Sequence, residues 1–169
     1  SFYANKIVTT GEGGMVLCNK KSIYKRCLSI KNLFFKEPRF VHDEIGSNFR
    51  LTNLQAALGL AQLKTIKKSI KRKIEIGKLY NKLLEKISCI NTPVKKNRYS
   101  ENIYWVYGII LNDKCKLSKK IVMQKLKNQN IETRPFFSPM HTQPVYKKMG
   151  LFKGLKFKNS EMIYKKGFY

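Results

Sequence analysis

Ser1-Phe2-Tyr3-Ala4-Asn5-Lys6-Ile7-Val8-Thr9-Thr10-Gly11-Glu12-Gly13-Gly14 opens the chain and sets a single lysine ahead of a threonine pair and a glycine-rich turn. An amine in an apolar, Gly-flanked loop, with the Ser1 hydroxyl five residues before it, can serve a phosphate-bearing aldehyde. The neutral amine is the nucleophile that bonds to the aldehyde carbon, and the hydroxyl can bind the phosphate tail. A surface lysine beside a glycine turn fits the same residues. The string alone leaves both readings open.

Outward from this stretch, Met15-Val16-Leu17-Cys18 is a short apolar run that reads as a strand. Apolar positions at Ile23, Tyr24, Cys27, Leu28 and Ile30 predict a helix over residues 21–31. Residues 32–50, with Pro38 and Gly46, predict a loop, and ordered loops of that length are usually functional or held by a partner. Thr52-Asn53-Leu54-Gln55 is a capping box, the Thr hydroxyl taking a free backbone N–H while Gln55 reaches back. Apolar residues then recur at three- and four-residue steps from Leu54 to Ile87. A continuous helix of that length would span on the order of 50 Å at about 1.5 Å per residue, with Gly77 as the point where it bends. Helices that long bridge domains or pack on a second subunit. Beyond Pro93, residues 103–111 are aromatic and β-branched and predict a strand. Ser118 caps a helix over residues 119–127, and residues 131–136 predict a second strand, ended by Pro135 and Pro139. Pro144 opens a short helix to Met149, and Ser160 caps another that runs into Lys166. Strand, helix, strand and short helices make an α/β or α+β subdomain.

Composition narrows the function classes. The 169 residues carry 35 Lys and Arg against 10 Asp and Glu, a net charge of +25, yet 43% are hydrophobic and 12% aromatic. That apolar share excludes a disordered basic tail. The lysines are dispersed from Lys6 to Lys166, and no zinc finger, helix-turn-helix or RNP-like motif accompanies them, so no specific nucleic-acid site is expected. A positive field still favours an anionic small-molecule ligand. Cys18, Cys27, Cys89 and Cys115 contain no Cys-x-x-Cys pair and read as structural thiols of a reducing, cytoplasmic setting. His42 and His141 are too few and too far apart to anchor a metal, and none is expected. No uncharged apolar run reaches the ~18 residues that span a bilayer. The chain opens without Met, and it is expected to be an internal fragment of a longer protein.

Two further blocks decide how the first is read. One is Gly46-Ser47-Asn48-Phe49-Arg50-Leu51-Thr52-Asn53-Leu54-Gln55-Ala56-Ala57, and the other is Thr133-Arg134-Pro135-Phe136-Phe137-Ser138-Pro139-Met140-His141-Thr142-Gln143-Pro144. With the opening string they closely resemble, in order and spacing, the DegT/DnrJ/EryC1/StrS family of pyridoxal-phosphate-dependent nucleotide-sugar aminotransferases. The resemblance covers nearly the whole chain. It implies an α/β fold, that of the PLP-dependent transferases of fold type I (aspartate-aminotransferase-like), with the end of the large domain followed by a small C-terminal domain. Residues 1–51 would close the large, cofactor-binding domain, 52–90 form a long connecting helix, and 91–169 form the small α/β domain, truncated at its end.

The resemblance also implies roles. Lys6 matches the lysine that carries pyridoxal 5'-phosphate and then moves a proton between cofactor and substrate carbon. Ser1 matches the hydroxyl that binds the cofactor phosphate. Asn48 matches an Asn that reaches this phosphate from the neighbouring subunit, so the site is completed only in a homodimer. His141 lies in the loop associated with the sugar nucleotide. The acidic partner of the pyridine nitrogen and the stacking aromatic precede the lysine segment in this fold, and neither Asp43 nor Asp113 matches the former. The implied activity is transfer of an amino group from glutamate to a nucleotide-linked 4-keto-6-deoxy sugar, as in the perosamine-synthase-type members of polysaccharide and O-antigen biosynthesis. Dehydratase members carry His in place of the lysine, so Lys6 favours transamination. The alternatives are C3 amination, a 4-keto-pentose substrate or, from another class, a non-catalytic basic module that binds nucleic acid.

Overall fold

Thr52 caps the first of two successive helices in the computed structural model, which describes residues 1–169. Its hydroxyl accepts the Gln55 N–H at 3.2 Å, while the Gln55 side chain accepts the Thr52 N–H at 2.9 Å. The chain divides into two compact units, Ser1–Ile70 and Lys71–Tyr169.

The first unit begins with the lysine loop, followed by α1 (Lys21–Lys31) and a two-stranded antiparallel hairpin, β1 (Phe35–Lys36) and β2 (Val41–His42). The hairpin places structure in a segment expected to be loop. Its register pairs Phe35 with His42 and Lys36 with Val41, and the Phe35 ring lies 4.7 Å from that of His42. Phe34 is the buried apolar residue of this unit, and the Arg26 guanidinium lies over its ring at 4.7 Å. The run Met15–Leu17 belongs to no sheet, and its side chains are exposed, so the expected strand does not form.

Helix α2 (Asn53–Leu63) ends at Lys64, and α3 (Ile66–Leu84) follows. The expected single helix is therefore interrupted at Lys64 and Thr65, not bent at Gly77. Thr65 supplies the reason: its N–H and its hydroxyl both donate to the Gln62 carbonyl, at 3.1 and 3.2 Å. A β-branched residue that bonds its own preceding turn tightens the helix there and competes with the ordinary ladder. Gly77 has a different use. A Cβ at this position would lie 2.3 Å from Cγ and Cδ2 of Tyr104, so its absence lets the ring rest on the helix backbone.

The second unit contains a three-stranded antiparallel sheet, β3 (Ile90–Asn91), β4 (Ile109–Leu111) and β5 (Gly167–Phe168), in that spatial order. Helices α4 (Lys119–Lys127), α5 (Pro144–Lys148) and α6 (Lys158–Lys166) lie between the last two strands in sequence. Ser118 caps α4 by accepting the Ile121 N–H at 3.4 Å. Ser160 does not cap α6: the helix starts earlier, and the Glu161 carboxylate accepts the Phe157 N–H at 3.4 Å. Strand β4 is shorter than the aromatic run that predicts it because Tyr104 has φ +50° and its N–H donates to Asn102 Oδ1 at 2.8 Å. That side-chain turn takes residue 104 out of extended geometry. The strand expected over 131–136 survives as one bridge, Pro135 to Phe168, flanked by an exchange of bonds between Arg134 and Tyr169 at 2.6 and 2.7 Å. Pro135 has no N–H to extend a ladder.

Tyr104, Leu111 and Phe168 form the buried apolar residues of this unit. Buried Asn81 ties the aromatic cluster together: its Nδ2 donates to the Tyr104 hydroxyl at 3.0 Å, and the Tyr107 hydroxyl donates to its Oδ1 at 2.8 Å. Tyr80 stacks on Tyr107 at 4.7 Å. Burial, then the neighbouring Tyr104, pushes the Tyr107 phenol above its ordinary value.

Two outcomes test this packing. Gly77→Ala gains about 1 kcal/mol of helix propensity but forces Tyr104 off the helix, so urea denaturation should show a net loss of roughly 1–3 kcal/mol. Asn81→Ala should destabilise by about 1–3 kcal/mol, and Tyr104→Phe should add much less on that background than alone, because the two share a hydrogen bond.

Candidate functional site

The lysine loop closes on itself. The Phe2 N–H donates to the Gly13 carbonyl at 2.8 Å, and the Phe2 carbonyl accepts the Thr10 N–H and the Thr9 hydroxyl, both at 2.9 Å. The Thr9 hydroxyl also accepts the Gly11 N–H at 2.9 Å, and the Thr10 hydroxyl donates to the Glu12 carbonyl at 2.5 Å. The threonine pair therefore satisfies the turn that the glycines permit, with Gly13 at φ +140°. Ser1 and Lys6 sit on this one loop. Lys6 is half-buried, its N–H donating to the Tyr3 carbonyl at 3.0 Å, while Ser1 is exposed, its hydroxyl oxygen accepting the Tyr3 N–H at 3.4 Å. Because Ser1 is an acceptor in that turn, its O–H remains a donor for an anion.

Helix α2 holds the loop through side chains that apolar periodicity does not single out. Gln62 Oε1 accepts the Thr9 N–H at 3.1 Å, and Gln62 Nε2 donates to the Thr9 carbonyl at 2.7 Å. Gln55, already part of the capping box, donates from Nε2 to the Glu12 carbonyl at 3.2 Å. Gly59 lies between them on the same face and is buried, and a Cβ there would approach Thr10 Cγ2 to 3.0 Å. Positions 55, 59 and 62 are spaced by four and three, which aligns them along the helix. The signal was available: Asn53, Gln55 and Gln62 are the polar residues of an otherwise Leu, Ala and Gly helix.

Asn48 is exposed and bridges Asn32 across the base of the hairpin, and its Oδ1 accepts from Arg50 Nε at 3.3 Å. It belongs to the same unit as Lys6 but to a separate segment. His141 belongs to the second unit, on a 3₁₀ turn (Met140–Thr142). Its side chain is 9% exposed, with Nε2 at 2.9 Å from Glu161 Oε1 and its ring 4.8 Å from that of Phe157. The hydrogen bond from His141, then that from the Phe157 N–H, holds the Glu161 carboxyl below its ordinary value. The two aspartates are engaged in ion pairs, Asp43 with Lys36 and Asp113 with Lys166.

The donor set fits a phosphorylated aldehyde such as pyridoxal phosphate. Lys6 offers an amine able to bond to an aldehyde carbon, and Ser1 on the same closed loop offers a hydroxyl donor to a phosphate oxygen.

Comparison with known proteins identifies the family. The model of the DegT/DnrJ/EryC1/StrS aminotransferase family matches residues 1–169. The chain is 39% identical over 150 residues to a GDP-perosamine synthase of Vibrio cholerae, covering 86% of the chain and 40% of that protein. It is 41% identical over 150 residues to a GDP-perosamine synthase of Escherichia coli O157:H7, covering 86% of the chain and 39% of that protein. The chain thus spans about two fifths of the length of these relatives. Among solved structures it superposes on Helicobacter pylori PseC, an aminotransferase involved in the biosynthesis of pseudoaminic acid, with TM-score 0.84 and 25% identity over 99% of this chain and 45% of that one. The mixed α/β architecture is that of fold type I, shared with the PLP-dependent sugar aminotransferases. The chain belongs to the DegT/DnrJ/EryC1/StrS aminotransferase family.

Proposed function

We propose that the protein carrying this chain is a pyridoxal-phosphate-dependent aminotransferase that moves an amino group from glutamate to a nucleotide-linked 4-keto-6-deoxy sugar. The observation that carries the reading is a half-buried Lys6 on a self-closed loop held by α2, in a chain of this family. Two GDP-perosamine synthases, at 39% and 41% identity, support this substrate class, and a Helicobacter pylori transaminase at 27%, named for a UDP-linked 4-amino-4,6-dideoxy sugar, is consistent with amination at C4.

Lys6 would hold the cofactor through Nζ, and the same amine would serve to move a proton at the substrate carbon. Pyridoxal phosphate, when bound, supplies the electron sink that amino-group transfer requires. Ser1 donates its hydroxyl to the phosphate. Asn48 reaches the phosphate of a neighbouring subunit in a homodimer. His141 serves the sugar nucleotide: with Nε2 directed at Glu161, Nδ1 is the nitrogen it has to offer a ligand. Residues 1–51 close the large domain, 52–90 connect, and 91–169 form the small domain, in a cytoplasmic enzyme; no helix is long and apolar enough to cross a membrane. Exposed apolar side chains where the hairpin segment meets α2 support the dimer, with Ile45 98%, Phe49 72% and Leu54 85% exposed.

Borohydride reduction with pyridoxal 5'-phosphate tests the assignment in the natural full-length polypeptide. Label should appear on the peptide containing Lys6 and be lost in a folded Lys6→Arg variant, whereas label that persists in that variant would place the attachment at another lysine. Asn48→Ala should lower cofactor retention roughly tenfold, the scale of one lost charge-assisted hydrogen bond, without changing the melting temperature of the apoprotein. Sedimentation should show a dimer, and an active monomer at assay concentration would remove Asn48 from the site.

A further inference from the structure

The Gln62 amide meets the backbone of Thr9 as a neighbouring strand would, accepting from its N–H and donating to its carbonyl. Both bonds fall on one residue, and the partners are 53 positions apart in sequence. The amide's orientation is fixed by this pairing, since a reversed amide would set donor against donor and acceptor against acceptor. Thr9 in turn organises the loop through its hydroxyl, which donates to the Phe2 carbonyl and accepts the Gly11 N–H. Lys6 lies three residues before Thr9, a span that fully extended chain limits to about 10 Å. Gln55 holds the other side of the turn at Glu12, and buried Gly59 allows Thr10 against the helix.

We propose that Gln62 is a positioning residue for Lys6: it docks the lysine loop on α2 by holding both backbone groups of Thr9, and so sets the reactivity of the lysine toward the cofactor aldehyde. The inference rests on the reading of Lys6 as the attachment point. It assigns Gln62 no contact with cofactor or substrate. Its chemical signature is the need for one acceptor and one donor on the same side chain.

That signature makes the test specific. Gln62→Leu removes both functions. Gln62→Glu keeps the acceptor but, when ionised, sets a carboxylate oxygen against the Thr9 carbonyl. A protonated carboxyl again offers one acceptor oxygen and one O–H donor, and a carbonyl partner raises its pKa by stabilising that neutral form. In the natural full-length polypeptide two quantities are read: hydrogen-exchange protection of the peptide spanning Thr9 and Thr10, corrected for intrinsic rate, and the rate of borohydride-fixed labelling of Lys6 by pyridoxal 5'-phosphate. Near about pH 8 both variants should lose roughly tenfold in each. Toward about pH 5 the deficit of Gln62→Glu, relative to the unaltered protein, should shrink, and that of Gln62→Leu should not. If Gln62→Leu fails to fold, the pH dependence of Gln62→Glu decides alone. Labelling of Gln62→Glu at the unaltered rate near pH 8, or a deficit that does not change with pH, overturns the proposal. Lys6→Arg run in parallel separates the two ideas. Label lost there while the Gln62 variants behave as unaltered sinks the positioning role and leaves the attachment site standing. Label retained there sinks the attachment site, and Thr9 exchange still decides whether Gln62 holds the loop.

Discussion

Two hydrogen bonds from the Gln62 side chain to the backbone of Thr9 are the constraint on which the first unit depends. A loop rich in glycine and small residues has little apolar surface to bury and loses considerable conformational entropy when ordered. Its own closure, from Phe2 to Gly13, fixes its shape but not its place. A partner outside the loop has to satisfy a half-buried N–H and carbonyl together, and an amide side chain is the group that does both from one residue. The capping box sets this up. By starting α2 at Asn53, Thr52 fixes the phase that brings Gln55, Gly59 and Gln62 onto one face. A frame starting one residue later would turn that face by about 100° and present leucines to the loop.

The consequence is an α2 whose polar and small residues meet the loop while apolar ones, Leu54, Leu58, Leu60 and Leu63, are exposed within this chain. This reverses the usual arrangement of an amphipathic helix. Apolar periodicity locates the helix correctly but points to the wrong face for the contact with the lysine loop. That is why Gln62 is not legible from a hydrophobic pattern. Lys6 and Ser1 are legible because their motif is local and chemically specific, and the capping box because it is written in four consecutive residues.

Elsewhere, the elements that the sequence conveys are those set by local rules, and those it conceals depend on partners far along the chain. Helices α1 and α4 occur where periodicity and, for α4, the Ser118 cap place them. The interruption at Thr65 and the early end of β4 at Tyr104 both arise from side chains bonding nearby backbone, which a scan for apolar spacing does not weigh. The segment 131–136 has the composition of a strand, but its pairing with Gly167–Phe168 is capped by Pro135 and reads as a strand only halfway. Met15–Leu17 shows the converse: β-compatible residues join no sheet, because a strand is a property of two segments and not of one.

The same distinction orders the second unit. Gly77 looks like a helix weak point in sequence, and helix propensity alone would favour replacing it. In the fold it is the position where α3 is thin enough for Tyr104 to lie against the backbone, and Asn81, one turn on, reaches the hydroxyls of both Tyr104 and Tyr107. The positive φ at Tyr104 follows from this arrangement, because Asn102 holds the backbone in the turn that aims the ring at Gly77. His141 is governed by a comparable pairing. Glu161 binds its Nε2 and also accepts the Phe157 N–H, so one carboxylate joins the start of α6 to the 3₁₀ turn. In both units a polar side chain with two partners, Gln62 or Glu161, couples a helix to the loop that bears the candidate functional residue. Specific hydrogen bonds, more than apolar burial, therefore determine where Lys6 and His141 are held within their units.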